Sequence, residues 1–233
     1  MALKSGPRPA SEALQALEAA LPEQPNPASL SMRAVLLAML DRIEEAWAVA
    51  LAANERAREL GLQWDEALAE VAALAGDHEA AAAYLRAACD AMEAEGRISN
   101  LSSYAPLLGR FLCALGRHDE AEPLAQQGRE LTAPDDVLAQ VFWRQTQALV
   151  YAARGQHAEA ERLAREAVTW AERSDSPLFQ GDALYDLGEV LEAAGRRNEA
   201  VAAWQEALDR YERKGIVPLA RRVRERLAAL EPA

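Results

Sequence analysis

The feature that most constrains this chain is a short glycine-centred phrase that recurs at a near-constant spacing. The copies read "AGDHEAAA", "LGRHDEAE", "RGQHAEAE" and "AGRRNEAV", and their glycines, Gly76, Gly116, Gly155 and Gly195, stand 40, 39 and 40 residues apart. A weaker fifth copy, "LDRIEEAW", carries Asp41 in place of the glycine, 35 residues before Gly76. A phrase kept at a fixed period predicts a repeat protein in which each copy is one structural unit.

Small residues recur at fixed offsets from these five anchors. Alanine or glycine stands at every position seven residues before, five after and twelve after an anchor. These fifteen positions are Ala34, Ala69, Gly109, Ala148, Gly188, Ala46, Ala81, Ala121, Ala160, Ala200, Ala53, Ala88, Gly128, Ala167 and Ala207. Small side chains at such offsets lie on the facing sides of two helices joined by a turn, where they let the backbones approach closely. The pattern therefore predicts helical hairpins.

This pattern resembles the tetratricopeptide repeat family, whose motif has small residues at the same offsets about a glycine between two helices. The resemblance covers roughly residues 11–215, although the family's usual period is 34 residues and the period here is mostly 39–40. Extended repeats of this kind, and above all the stretch "APDDVLAQVFWRQTQALVYAARGQHAEAERLAREAV", are similar to the C-terminal helical arrays of bacterial signalling regulators and class III adenylate cyclases. The resemblance implies an all-α fold, a right-handed superhelical solenoid of antiparallel helix pairs with a C-terminal capping helix.

Prolines and Ser/Asp clusters mark the joints between the units. We expect residues 1–10 to be flexible and residues 11–233 to form a single domain. The pattern divides this domain into a half-repeat at 11–25, five hairpins at about 28–215 and a capping helix at about 217–230. The small residues of the half-repeat have the spacing found in the second helix of a hairpin. Its partner helix is therefore in a missing segment or in a second copy of the chain. The oligomeric state is therefore open.

Charge and composition exclude several classes of partner. The chain has 25 Lys and Arg against 37 Asp and Glu, a formal charge of −12, which repels nucleic acid and anionic membrane surfaces. No stretch approaches the roughly 20 apolar residues of a membrane span, and the N-terminus lacks the apolar core of a signal peptide. With only two cysteines, Cys89 and Cys113, the sequence suits a reducing compartment. We expect a cytoplasmic protein that binds neither nucleic acid nor membrane.

The three histidines occupy the same position of the repeat, which does not indicate a catalytic role. His78, His118 and His157 each stand two residues after a turn glycine, and Arg197 takes the same place in the fourth copy. A residue repeated at this spacing is typical of a helix start, and none of the copies has the second histidine of a zinc-binding His-Glu-x-x-His helix. Nucleophile-elbow, Walker and dinucleotide-binding motifs are also absent from the sequence. We therefore predict no metal, no cofactor and no enzymatic activity.

Candidate binding residues follow from the resemblance, in which the first helix of each hairpin lines a concave groove. Carried over position by position, the middle of the groove has Arg110, Phe142 and Gln145, and its C-terminal end has Asp182, Tyr185, Asp186 and Glu189. The three acidic residues fall on one helix face and predict a strip that receives a basic or amine-bearing partner, with Tyr185 as an aromatic anchor.

Three alternatives to an acidic receptor stay open. The strip is a solvated helix face, or the C-terminal arginines Arg221, Arg222, Arg224 and Arg226 neutralise it. Salt-bridge distances of about 4 Å decide between a structural strip and a binding site. Alternatively, Arg110 and Arg144 near Trp143 form a mid-groove site for a carboxylate or phosphate.

Two functions remain after these exclusions. The first is a non-catalytic interaction scaffold that binds a protein segment or a neighbouring domain in its concave groove, since stacked hairpins offer an extended curved surface. The second is a ligand-sensing regulatory module of a larger signalling protein, such as a cyclase or a transcriptional regulator. The partner is a protein or peptide in the first case and a small ligand in the second.

Overall fold

The computed structural model describes residues 2–62 and 66–230, and in these ranges it contains thirteen α-helices and no strand. The helices are α1 (Ala2–Ser5), α2 (Ala10–Ala20), α3 (Pro27–Met39), α4 (Ile43–Glu59), α5 (Glu66–Ala75), α6 (His78–Ala94), α7 (Ile98–Ala114), α8 (His118–Leu131), α9 (Val137–Ala153), α10 (His157–Ala171), α11 (Pro177–Ala193), α12 (Arg197–Lys214) and α13 (Val217–Ala228). The prediction of an all-α helical-repeat fold is confirmed. Residues 1, 63–65 and 231–233 of the predicted domain organisation lie outside the described residues.

The helices from α3 to α12 form five hairpins that stack in chain order. Each first helix packs on its own second helix, and consecutive first helices α7, α9 and α11 also pack on one another. α13 follows the fifth hairpin and packs on α12 as a cap. None of the helices in the described ranges is long and apolar enough to cross a membrane.

The turn inside each hairpin explains the repeated phrase. The backbone is left-handed at each anchor, with φ values of 84°, 74°, 75° and 76° at Gly76, Gly116, Gly155 and Gly195, and 63° at Asp41. Glycine adopts this conformation without the steric cost of a Cβ atom. The N–H of the next residue then donates to a carbonyl five residues earlier, as from Arg117 to Leu112 at 2.8 Å, which closes the helix end. The second helices begin at His78, His118, His157 and Arg197, as predicted.

All fifteen repeated small residues are buried. Gly109 on α7 shows the reason, because a Cβ atom there would lie 2.7 Å from Cγ2 of Thr146 and 3.2 Å from the backbone oxygen of Ala121. The first position is on α9 and the second on α8, so one small residue lets α7 approach two helices at once. The small residues therefore set the distance between helices within and between hairpins.

The two ends of the array meet. The fully buried ammonium of Lys214, at the end of α12, donates to the backbone oxygens of Leu3, Gly6 and Arg8 at 3.0, 2.8 and 2.8 Å. Lys4 pairs with Glu70 on α5 at 2.7 Å. Residues 2–8 thus pack between α5 and α12.

Contacts of α13 complete this closure. Arg221 on α13 pairs with Asp41 in the turn of the first hairpin at 2.5 Å, and α13 also contacts α5. A single buried apolar cluster accordingly contains residues of α2–α5 together with residues of α9–α13. The half-repeat helix α2 packs on α1 and α3 within this arrangement.

Candidate functional site

The closed array surrounds a cavity of about 410 Å³ at the turn end of the hairpins. Its walls come from α6, α7, α8, α9, α11 and α13, so distant parts of the chain meet there. The polar lining consists of His78, Arg110, His118, Tyr185, Asp186, Glu189 and Arg222, and the apolar lining of Phe111, Cys113, Ala114, Leu149, Ala152, Ala153 and Ala193. The volume lies within the range of ligand sites, and half of the lining residues are polar.

Arg110 on α7 holds together the acidic residues of α11. Its Nε and Nη2 atoms donate to the two carboxylate oxygens of Asp186 at 2.6 and 3.0 Å, and Nη1 lies 3.5 Å from Asp182. Gln145 on α9 donates to Asp186 at 2.8 Å, and the hydroxyl of Tyr211 on α12 donates to Asp182 at 2.6 Å. The two carboxylates are therefore satisfied within the chain, and Asp186 is only 4% exposed.

The predicted acidic strip is thus structural, and the hypothesis of an open receptor for a basic partner is wrong. Asp182 and Asp186 pair with Arg110, and Glu189 lies 3.5 Å from Arg226. The rival expectation, neutralisation by the C-terminal arginines, holds only for Arg226. The main neutralising group comes instead from α7, because curvature of the array brings residues 72 and 76 positions apart into contact.

The other predicted site residues divide into two groups. Tyr185 and Glu189 line the cavity, next to Asp186 and Arg110. Phe142 lies outside it, buried and packed edge-on against Phe179 with 5.6 Å between the ring centroids. Phe142 therefore contributes to the packing of α9 on α11 and to no part of the cavity lining.

The hypothesis of a mid-groove anion site between Arg110 and Arg144 is also not supported. The guanidinium of Arg144 stacks on Trp143 at 4.1 Å from the ring centroid and pairs with Glu166 at 3.0 Å. Arg110 is occupied by Asp186. Both arginines are thus paired, and Arg144 does not line the cavity.

Sequence reasoning missed three polar residues of the cavity, namely His78, His118 and Arg222. The two histidines were assigned only to helix starts, which is where they lie, but these starts also border the cavity. Both histidines stand two residues after a turn glycine, which indicates that both lie at the turn end of the hairpins. Arg222 could not be found in this way, because its place depends on the contact of α13 with α5 and with the turn of the first hairpin.

His78 is a neutral, partly desolvated group. Burial, together with the positive charges of Arg222 and Arg110, lowers its pKa to about 4. Its ring stacks near Phe111 with 5.7 Å between centroids. The buried Nδ1 atom has no hydrogen-bond partner among the described residues.

The thiol of Cys113 and the hydroxyl of Tyr185, which also line the cavity, are held in their neutral forms. Burial raises the pKa of the Cys113 thiol and of the Tyr185 hydroxyl to about 12. A protonated thiol is a poor nucleophile, so Cys113 contributes apolar surface here. Within the described residues no group of three or more His, Cys, Asp and Glu side chains is placed to hold a metal ion. The arrangement is suited to binding.

Comparison with known proteins agrees with this geometry. The family model described as tetratricopeptide repeat matches residues 138–213, which span α9 to α12. Among solved structures, NprR in complex with its cognate peptide NprX is similar with a TM-score of 0.63 and 16% identity over 94% of this chain and 69% of that one. The apo form of the quorum sensor NprR from B. thuringiensis matches with a TM-score of 0.56 and 16% identity, over 96% and 66% of the two chains.

BtubC from P. vanneervenii is similar with a TM-score of 0.55 and 17% identity, over 96% of this chain and 85% of that one. No curated protein sequence matches the chain. At such identities the structural likeness concerns the fold. The repeat match concerns α9 to α12, and these comparisons show a tetratricopeptide-like helical-repeat fold.

Proposed function

We propose that this protein is a non-catalytic interaction module that binds a peptide or an extended protein segment at the cavity of its inner surface. The observation that carries the proposal is the cavity itself, about 410 Å³ in volume and built from six helices of the array. Tetratricopeptide-like repeats generally mediate protein interactions, and this cavity offers both apolar and polar contacts.

The lining is better suited to binding a side chain or chain end of a partner than to binding a flat protein surface. Phe111 and Leu149 provide an apolar wall, and His78, His118 and Tyr185 provide hydrogen-bonding groups. Pockets of 300 to 1,000 Å³ bury a small ligand or a few residues of a peptide. The similar structure of NprR with its peptide supports this choice of partner, and the binding mode here is our own proposal.

The alternative of a ligand-sensing module rests on the same cavity. Its walls include α6 of the second hairpin and the capping helix α13, so an occupant would join elements far apart in the chain. Such a ligand would stabilise the closed arrangement by binding it preferentially. Both cysteines are free and buried, and we place either activity in the cytoplasm.

Site-specific photo-crosslinking tests the proposal. A photoreactive p-benzoylphenylalanine at Ala153, an exposed residue of the cavity lining, is compared with the same group at Leu51, an exposed residue of α4 outside the cavity. Each protein is irradiated with a library of short random peptides, and the captured peptides are identified by mass spectrometry.

We expect the cavity position to capture a restricted set of peptides that share side-chain or terminal chemistry, because the lining imposes a shape. The position on α4 should capture a small, unrestricted set. Equal and unrestricted capture from both positions, or none from either, would contradict the proposal.

A further inference from the structure

Arg222 differs from the other arginines of the capping helix. Arg221 pairs with Asp41 at 2.5 Å, Arg224 with Glu212 at 2.5 Å, and Arg226 with Glu189 and Glu192. Arg222 has no ion pair or hydrogen bond within residues 2–62 and 66–230, although the chain as a whole is rich in carboxylates. The cap helix thus carries one cation without a counter-charge.

This unpaired cation lies between the cavity and a smaller pocket at the turn of Gly76. Arg222 lines the cavity together with His78 on α6 and Tyr185 on α11, and its Nη2 atom lies near the turn at Gly76. A half-buried guanidinium without an anion has lost part of its hydration and gained no compensating contact. An anion in the cavity would supply that contact.

A second observation comes from His78 itself. Its Nδ1 atom is buried without a hydrogen-bond partner in the described structure, and the imidazole lies in the positive field of Arg222 and Arg110. Because this atom is unpaired at the cavity wall, it is available to a ligand. The cavity also borders the starts of α6 and α8, where the helix dipole favours negative charge.

We propose that Arg222 binds a carboxylate of the cavity's ligand, which lies between Arg222 and His78 with its apolar part against Phe111 and Leu149. This rests on the proposed function of the cavity and names the chemistry of its occupant. Arg110 does not compete for the anion, because Asp186 and Asp182 occupy its guanidinium.

A carboxylate is favoured over a phosphate by the other charges of the lining. Asp186 and Glu189 also border the cavity, and they would repel a dianion more strongly than a monoanion. A planar guanidinium matches a carboxylate with two parallel hydrogen bonds. The ligand we infer is therefore a monoanion with an apolar body, such as a peptide that ends in a free carboxylate.

The test uses a matched pair of probes, N-acetyl-leucine and its neutral amide, with phenyl phosphate as a third probe. Binding to the whole chain is followed by NMR through the Arg222 Nε–H signal and through the titration of His78. The variant is Arg222→Gln, and the control is Arg224→Gln, on the same helix but paired with Glu212 and outside the cavity lining.

We expect the acid to bind at least about tenfold more tightly than the amide, the scale of one charge-assisted contact, and more tightly than phenyl phosphate. The bound acid should raise the pKa of His78, because it cancels the field of Arg222. Arg222→Gln should remove the preference for the acid, and Arg224→Gln should keep it.

Equal binding of acid and amide, binding of none of the probes, or an unchanged preference in Arg222→Gln would overturn the inference. A preference for phenyl phosphate would also overturn it in favour of a dianion. The proposed function is tested separately, because photo-crosslinking from Ala153 in the Arg222→Gln protein would persist if the cavity bound peptides by other groups.

Discussion

At the scale of single residues, the most consequential contact is that of Arg110 with Asp186. The pair joins α7 to α11 across the interior of the array, and its charges are largely removed from water. Two buried charges offset their desolvation only while both are present. The contact thus holds the third and fifth hairpins in one relative arrangement and shapes one wall of the cavity.

The variant Arg110→Gln is expected to lose about 3–5 kcal/mol of unfolding free energy, because Asp186 is left buried without a counter-charge. Chemical denaturation provides the measurement. The control is Arg117→Gln, which breaks an exposed pair with Glu120 and should leave stability unchanged. Equal unfolding free energies of the two variants would show that the buried pair does not stabilise the fold.

The titration of His78 is a second prediction at this scale. Its pKa of about 4 is lower than the unfolded value of 6.5, so the unfolded chain binds more protons between these limits. The contribution of His78 to the free energy of unfolding is therefore present above pH 6.5 and is lost as the pH falls towards 4. NMR titration should find the low pKa, and Arg222→Gln should raise it by removing a nearby positive charge. A pKa near 6.5 in the wild-type protein would be contrary to the described burial.

The sequence predicted the identity of several site residues and mistook their role. Arg110, Gln145, Asp182 and Asp186 do lie together, as their repeat positions indicate, but they satisfy one another. Repeat offsets fix the face of a helix on which a residue lies. They do not fix the curvature of the stack, which decides whether faces 40 or 80 residues apart come into contact.

At the scale of elements, hairpin geometry follows from local chemistry and is readable from the sequence. A glycine at φ > 0, the hydrogen bond that closes the helix, and small residues on facing sides act within about twenty residues of the turn. Helix α1 is the element that the sequence did not predict. It is only four residues long, and its position depends on Lys214 at the far end of the chain.

Enlarging a small residue between helices tests the element scale. Ala200 on α12 is fully buried, so Ala200→Leu should overpack the hairpin and lose about 1–3 kcal/mol of unfolding free energy. Ala202→Leu, at an exposed position on the same helix, is the control and should have little effect. Thermal denaturation of both variants is the measurement, and equal melting temperatures would refute the assignment of Ala200 to a packed seam.

At the scale of the whole molecule, closure of the array creates the cavity. Six helices from four hairpins and the cap contribute to its lining, and none of them forms it alone. The sequence indicates the number and order of the hairpins. It does not indicate closure, because closure depends on contacts between residues more than 200 positions apart, such as Lys214 with Leu3.

Removing the closing contact should weaken the whole array. Lys214→Met leaves three backbone oxygens near the N-terminus without their donor, and we expect a loss of about 1–3 kcal/mol. Arg213→Met, at the exposed neighbouring position, is the control. Hydrogen exchange provides a local readout, because residues 2–8 should exchange faster in the first variant alone. Unchanged exchange there would mean that Lys214 does not hold the segment.

The central claim is that the cavity is where this protein binds its partner, and filling the cavity tests it most directly. The measurement is the affinity of a peptide captured at Ala153 for the variant Ala153→Trp, compared with Ala83→Trp, which places the same bulk on an exposed part of α6 outside the cavity. We predict a loss of affinity of about tenfold or more in Ala153→Trp with an unchanged melting temperature, and no loss in Ala83→Trp. Equal affinity in both variants would place the binding surface elsewhere on the array and contradict the account.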